Sequence, residues 1–329
     1  THPNINQYYL FEGTNVSHGY SFRLSLVKRF GPFVALLSTL SAPTVEAAAP
    51  MAQTQAPGFY RVMVGSLQVT ALLDANNVWP DNMDILFPKL STDQRVELRK
   101  RTHLQEKVDF STNAFLVNTG KKLILIDTGG RGVATGYGQL FKNMKAAGYS
   151  PTQVDDVYIT HMHGDHISGL LDGKRPAFPN ATVHVDVHEL QYWQAQEGGK
   201  DTVAKFKPYI VDKRFATFDG NTQLLPELKA VASYGHSKGH VFFVIESQGQ
   251  RMRFWGDFVV NDKVQLEMPE VDPPFEEDSA KGVTQRRKEF EEVSSQGDLI
   301  AGAHFAFVVD RFHCPSPLPT RAHRERRHR

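Results

Sequence analysis

The chain has 329 residues, with 37 Lys+Arg against 36 Asp+Glu, a formal net charge of +1 and a hydrophobic fraction of 40%. That length supports a large buried core, while the balanced charge excludes an overall electrostatic footprint for nucleic acid or acidic membrane, and the composition excludes a disordered chain. A single cysteine, Cys314, excludes an internal disulfide framework, a cysteine-rich zinc knot and an iron–sulfur cluster, which leaves the 14 histidines as the unusual count.

In chain order, Arg23, Lys28 and Arg29 precede the apolar run Phe33-Val34-Ala35-Leu36-Leu37, and Val45 and Ala47 follow with the spacing of a signal-peptidase site. The pattern reads as a secretory signal, too short to span a bilayer as a mature helix. Residues 1–49 are therefore expected to be an upstream extension plus signal. The protein is expected to be exported, to a periplasm or the medium, with no membrane association after signal removal. From Phe59 the pattern turns globular. Tyr60–Val64 and Leu67–Leu72 flank Gly65-Ser66 as a hairpin, and Ser91-Thr92-Asp93-Gln94 is a capping box opening a helix to about Arg101. Ala114–Val117 and Leu123–Ile126 form a second hairpin, and Tyr137–Ala147 reads as a helix. Val157–Thr160 and Thr182–Val185 are predicted strands, followed by a helix over Glu189–Gln196. Strands at Lys229–Ser233, Val241–Glu246 and Met252–Trp255, a helix over Ser279–Ser294 and a strand at Leu299–Ala301 complete the pattern. Two sheets packed together with helices outside would bury both sets of apolar strands. Residues 50–313 are expected to be this domain. Residues 314–329, rich in proline and arginine, are expected to be a solvated tail rather than a nucleic-acid arm.

The chemistry concentrates in His161-Met162-His163-Gly164-Asp165-His166, directly after the strand predicted to end at Thr160. His161 and His163, two apart on an extended backbone, point the same way and reach one cation; Asp165 and His166, after a glycine-assisted turn, face a second. His236 in Gly235-His236-Ser237-Lys238-Gly239-His240, Asp257 after Trp255-Gly256, and His304 after Ala301-Gly302-Ala303 complete the inventory. Together they supply three ligands per ion, and a bridging carboxylate from Asp257 makes four. Such a pair of divalent ions suits hydrolysis through a bridging hydroxide. Nitrogen and oxygen donors favour Zn²⁺ and also accept Co²⁺, Mn²⁺ or Fe²⁺.

H-x-H-x-D-H, preceded by Leu125-Ile126-Asp127-Thr128-Gly129 and followed by G-H-x-x-G-H, W-G-D and a late histidine, resembles the metallo-β-lactamase superfamily. Within it, residues about 56–307 most resemble the methyl parathion hydrolase group of organophosphate hydrolases, through stretches such as Ala114–Gly120, Lys145–Tyr149 and Glu246–Gln250. The resemblance implies an α+β fold, an αββα sandwich of two mixed sheets flanked by helices. It implies that His161, His163 and His236 hold one metal, that Asp165, His166 and His304 hold the other, and that Asp257 bridges. It places Asp127 as a carboxylate orienting the metal loop, His240 as structural, and Trp193 as an aromatic lining the substrate pocket. Gly164 and Lys238 stand where the group usually has proline, and the segment between Trp193 and His236 is shorter. The expected activity is hydrolysis of organophosphate triesters or related aryl esters, with Asp257 and Asp165 as the catalytic carboxylates and Asp257 relaying a proton. A lactonase, aryl esterase or β-lactamase-like hydrolase is the enzymatic alternative, and a non-catalytic metal-binding protein the alternative from another class. The expected partner is a small-molecule ester, not nucleic acid, and a homodimer is compatible with the sequence. Near Trp193, the rings of Tyr192, Phe206, Tyr209 and Phe215 suit either an aryl substrate or plain packing.

Overall fold

The computed structural model describes residues 51, 53, 55–80, 82–102 and 107–307, so the signal-like segment and the arginine-rich tail lie outside the described residues. Contacts divide the chain into Thr1–Gln53 and Thr54–Arg329, and all of the described secondary structure belongs to the second unit. No helix of the described residues is long and apolar enough to cross a membrane.

The first strands are β1 (Phe59–Val64), β2 (Leu67–Pro80), β3 (Lys107–Asn118), β4 (Leu123–Ile126) and β5 (Asp156–Tyr158). β6 (Leu171–Asp172) and β7 (Arg175–Pro176) make a separate small hairpin. With β8 (Thr182–Asp186) and β9 (Phe215–Phe218) the chain returns to the first sheet, whose order is β1-β2-β3-β4-β5-β8-β9. Its first four strands pair antiparallel and the last four parallel. The second sheet is β10 (Gln223–Leu225), β11 (Leu228–Ala232), β12 (Val241–Ser247), β13 (Gln250–Trp255) and β14 (Leu299–Gly302) in sequence order, antiparallel except for β13 against β14. Parallel neighbours require crossovers, and helices supply them: Leu140–Ala146 between β4 and β5, Val187–Ala195 between β8 and β9, and Ser279–Gln296 between β13 and β14.

Period-two alternation assigns each face. Phe115, Val117, Ile124 and Ile126 of the first sheet meet Val241, Phe243, Ile245 and Phe254 of the second in one inter-sheet core. Their neighbours Leu116, Leu125, Val157 and Val183 turn outward to pack with Leu140 and Met144 of the first crossover helix. On the far side, Phe242, Trp255 and Ile300 pack against Phe290 and Val293 of the helix Ser279–Gln296. Each fully buried side chain of this kind contributes about 1.5–3 kcal/mol of transfer free energy. The result is the αββα sandwich expected from the sequence.

Two local expectations are corrected. The first crossover helix starts at Leu140 rather than Tyr137. The buried carboxylate of Asp74 accepts the amides of Gly130, Gly138 and Leu140 at 2.8–3.2 Å, and Gly138 takes φ 95°, so the preceding turn belongs to a looped segment. β5 ends at Tyr158, two residues before the expected Thr160.

Candidate metal centre

All the motif residues sit at one end of the sandwich: Asp127, His161, Asp257 and His304 follow the carboxyl ends of β4, β5, β13 and β14, and His236 lies in the β11–β12 loop. After β5 the chain runs irregularly through His161. His163 is extended (φ −67°, ψ 155°) and caps a single helical turn, Gly164–Ile167, that carries Asp165 and His166. The expected glycine-assisted turn is thus the start of this helix. Three imidazole nitrogens converge: His161 Nε2 and His236 Nε2 lie 2.9 and 3.0 Å from His163 Nδ1. Asp257 Oδ2 lies 3.7 and 3.6 Å from His161 Nε2 and His236 Nε2, and 3.3 and 3.1 Å from His166 Nε2 and His304 Nε2. Asp165 Oδ2 is 3.4 Å from His304 Nε2 and 3.7 Å from His166 Nε2. The structure therefore forms two groups, His161/His163/His236/Asp257 and Asp165/His166/Asp257/His304, joined by Asp257.

Hydrogen bonds fix which ring nitrogen His166, His304 and His240 present. Asp127, itself in the left-handed region (φ 59°), accepts the Thr160 amide through Oδ1 and the Thr160 hydroxyl through Oδ2, all at 2.8 Å. The same Oδ2 accepts His166 Nδ1–H at 2.9 Å, which leaves His166 Nε2 for the second group. His304 Nδ1–H donates to the Ser111 carbonyl at 2.8 Å and its ring stacks on Phe110 at 4.3 Å. His240 is not in either group: its Nε2 accepts the Asp257 amide at 2.9 Å and its Nδ1–H donates to Ser233 Oγ at 2.6 Å, so it positions the shared carboxylate. Burial pushes His240 down to about 3, consistent with that neutral tautomer.

The electrostatics call for cations. Burial, reinforced by the neighbouring rings, holds His161 and His236 well below the ordinary 6.5, as neutral ligands. Burial alone would raise Asp257, but His166, His304 and His161 outweigh it and hold the carboxyl well below its usual range. Conversely, Asp257 and Asp165 overcome burial to push His304 up to about 10, and the same two carboxylates with Asp127 raise His166 well above 6.5. Carboxylates that draw protons onto both rings in this way would favour a divalent ion in the protons' place. His166 Nε2 and Asp257 Oδ1 are buried without a hydrogen-bond partner, as donor atoms kept for a metal would be. The donor set, all nitrogen and oxygen, fits Zn²⁺ and also Co²⁺, Mn²⁺ or Fe²⁺.

A family model described as the metallo-β-lactamase superfamily matches residues 108–297, more than half of the chain. The chain belongs to the metallo-β-lactamase superfamily. Among solved structures, hydrolase AbOPH of the β-lactamase superfamily is 34% identical, with a TM-score of 0.71 over 77% of this chain and 92% of that one. AidC, a dizinc quorum-quenching lactonase, shares the fold at 21% identity, with a TM-score of 0.70 over 76% of this chain and 92% of its own. Among curated proteins, an atrochrysone carboxyl ACP thioesterase of Passalora fulva is 29% identical over 45% of this chain and 38% of its own length. The β-lactamase-like protein 2 homolog of Caenorhabditis elegans is 31% identical over 46% of this chain and 45% of its own length. The chain thus spans less than half the length of these two curated relatives.

In this superfamily member, aromatic rings rim the first group. Trp193 is half-buried, edge-on to the His163 ring at 5.9 Å, and Phe275, 43% exposed, is edge-on to His236 at 5.8 Å. The other rings near Trp193 resolve mostly into packing. Phe206 and Tyr209 are completely buried in the outer core of the first sheet, and Phe215 packs on Phe206. Tyr209 Oη donates to the Leu170 carbonyl at 2.8 Å, whereas Tyr192 Oη donates to Glu277 at 2.6 Å. Sequence reasoning missed Phe275, the Ser111 carbonyl and the buried Glu189; of these, only Phe275 in Pro273-Pro274-Phe275 carried a local signal, an aromatic in a proline-bounded loop.

Proposed function

We propose that the chain is a dinuclear metal-dependent hydrolase of organophosphate triesters or related aryl esters, with Zn²⁺ as the metal. The observation that carries this reading is Asp257 Oδ2, set 3.1–3.7 Å from four imidazole nitrogens of two histidine groups. Divalent ions held there supply an acidified water and electrophilic stabilisation of the charge that develops on the substrate. The chain's own residues do the rest. Asp257, which faces both groups through Oδ2, is the carboxylate assigned to accept or relay a proton. Asp165, whose side chain is 22% exposed, leads from the centre to solvent. Trp193 and Phe275 offer ring faces and edges to an apolar leaving group. Similarity to AbOPH over most of both chains supports hydrolysis in general. Similarity to thioesterases supports a second reading, attack on a carbonyl in a lactone or thioester. Export from the signal-like segment remains part of this proposal.

The test is a purified full chain assayed against a paraoxon-type triester, an aryl ester, a lactone and nitrocefin, before and after chelation and Zn²⁺ restoration. Turnover of the triester and the aryl ester that chelator abolishes and Zn²⁺ restores is expected. Turnover of the lactone alone favours the second reading, and two bound metals without any hydrolysis would make this a metal-binding protein. A narrower prediction concerns Trp193→Ala, which should lower kcat/KM for an aryl ester by about fivefold, the loss of roughly 1 kcal/mol of ring contact, with both metals retained. An equal loss on an alkyl ester, with a lowered melting temperature, would instead make Trp193 a packing residue.

A further inference from the structure

Glu189 is completely buried as the third residue of the helix Val187–Ala195, and its four hydrogen bonds all come from uncharged donors. Oε1 accepts the Met162 amide at 2.9 Å and the Trp193 indole N–H at 2.8 Å. Oε2 accepts the Ser237 hydroxyl at 2.7 Å and the Gly239 amide at 2.9 Å. Met162 separates His161 from His163, and Ser237 and Gly239 follow His236 within its loop. Each carboxylate oxygen therefore grips one of the two loops that build the first group. The approach is close: a Cβ on Gly239 would lie 2.1 Å from the Glu189 amide nitrogen, so only glycine lets the loop and the helix meet. Burying a carboxylate among neutral donors is costly, and a hydrophobic side chain would serve packing alone.

We propose that Glu189 is the positioning residue of the first cation group, setting the separation of the His161/His163 and His236 loops and tying the Trp193 ring to them. This rests on the reading of the centre as a two-cation site. Asp127 holds His166 of the second group directly and, through Thr160 Oγ1 3.2 Å from His161 Nδ1, also reaches the first, whereas the contacts of Glu189 go to the two loops of the first group alone. The consequence is selective. Loss of Glu189 loosens one metal and leaves the other.

The experiment is competition of the chelator-stripped full chain with a metal-binding dye for Zn²⁺ alone, comparing wild type, Glu189→Gln and Trp193→Phe, with melting temperatures of the stripped proteins. Glutamine turns one acceptor oxygen into a donor that faces two N–H or O–H groups. Glu189→Gln should weaken one of two Zn²⁺ equivalents by about 10–100-fold and leave the other unchanged. Trp193→Phe removes only the indole donor and should bind both equivalents as wild type does. Both Zn²⁺ affinities intact in Glu189→Gln with a lowered melting temperature, or both weakened equally, would overturn the proposal. If Glu189→Gln does not fold, Ser237→Ala, which deletes one donor, should show the same selective weakening to a smaller degree; unchanged affinities there would overturn it equally. A wild-type chain that fails to bind two Zn²⁺ ions would contradict the two-cation reading itself, a separate outcome.

Discussion

His161→Ala and His163→Ala should each bind about one metal ion per chain in place of two, with hydrolysis reduced to the level of the chelator-stripped protein. Both rings point nitrogen into the first group, His161 Nε2 and His163 Nδ1 standing 2.9 Å apart, and His161 is completely buried. Either alanine leaves three donors, the other of these two histidines with His236 and the shared Asp257, to hold an ion that needs about four. The second group keeps Asp165, His166, Asp257 and His304 and retains its metal. Metal analysis alongside turnover checks this. Two ions per chain with activity kept would remove these residues from the ligand set.

Asp257→Asn preserves shape and volume but deletes the one negative charge that faces both groups. The amide can present only one oxygen, and its NH₂ would face imidazole nitrogens already committed as ligands. Because Asp257 Oδ2 lies closest to His304 and His166, at 3.1 and 3.3 Å, the second ion should suffer more than the first. We expect turnover lower by about a hundredfold or more, and weaker binding of one ion. In the metal-free state, removing Asp257 takes away a carboxylate that raises His166 and His304, so both rings should titrate lower. NMR titration of the stripped variant would show those imidazole shifts moving to lower pH.

Much of the centre was readable because its ligands are compact in sequence. Four of the seven fall within His161–His166, and the others follow short apolar strands. Strand and helix periodicities for the two hairpins, the capping box at Ser91 and the long crossover helix were equally local. The Ser91 box is realised by Gln94 Oε1 accepting the Ser91 amide at 2.8 Å and Ser91 Oγ accepting the Gln94 amide at 3.2 Å. Features built from distant parts of the chain were not readable. Glu189 finds Met162, Ser237 and Gly239 across 27, 48 and 50 residues, and in sequence it is one more polar residue on a helix. β2 runs to Pro80, well past the expected Leu72, because an irregularity between Leu73 and Ala75 turns Asp74 inward and breaks the alternation that sequence reading depends on. The short helices Gly199–Ala204 and Lys207–Val211 and the strand β9 are too brief, and too interrupted by glycine and proline, to show a period.

Seven residues around Asp257 should hold two cations in one centre. Calorimetric titration of the chelator-stripped full chain with Zn²⁺ tests it most directly. Wild type should show two tight equivalents per chain and His304→Ala a single tight equivalent, because that change removes a ligand of the second group only. One equivalent or none in wild type, or two undiminished equivalents in His304→Ala, would contradict it.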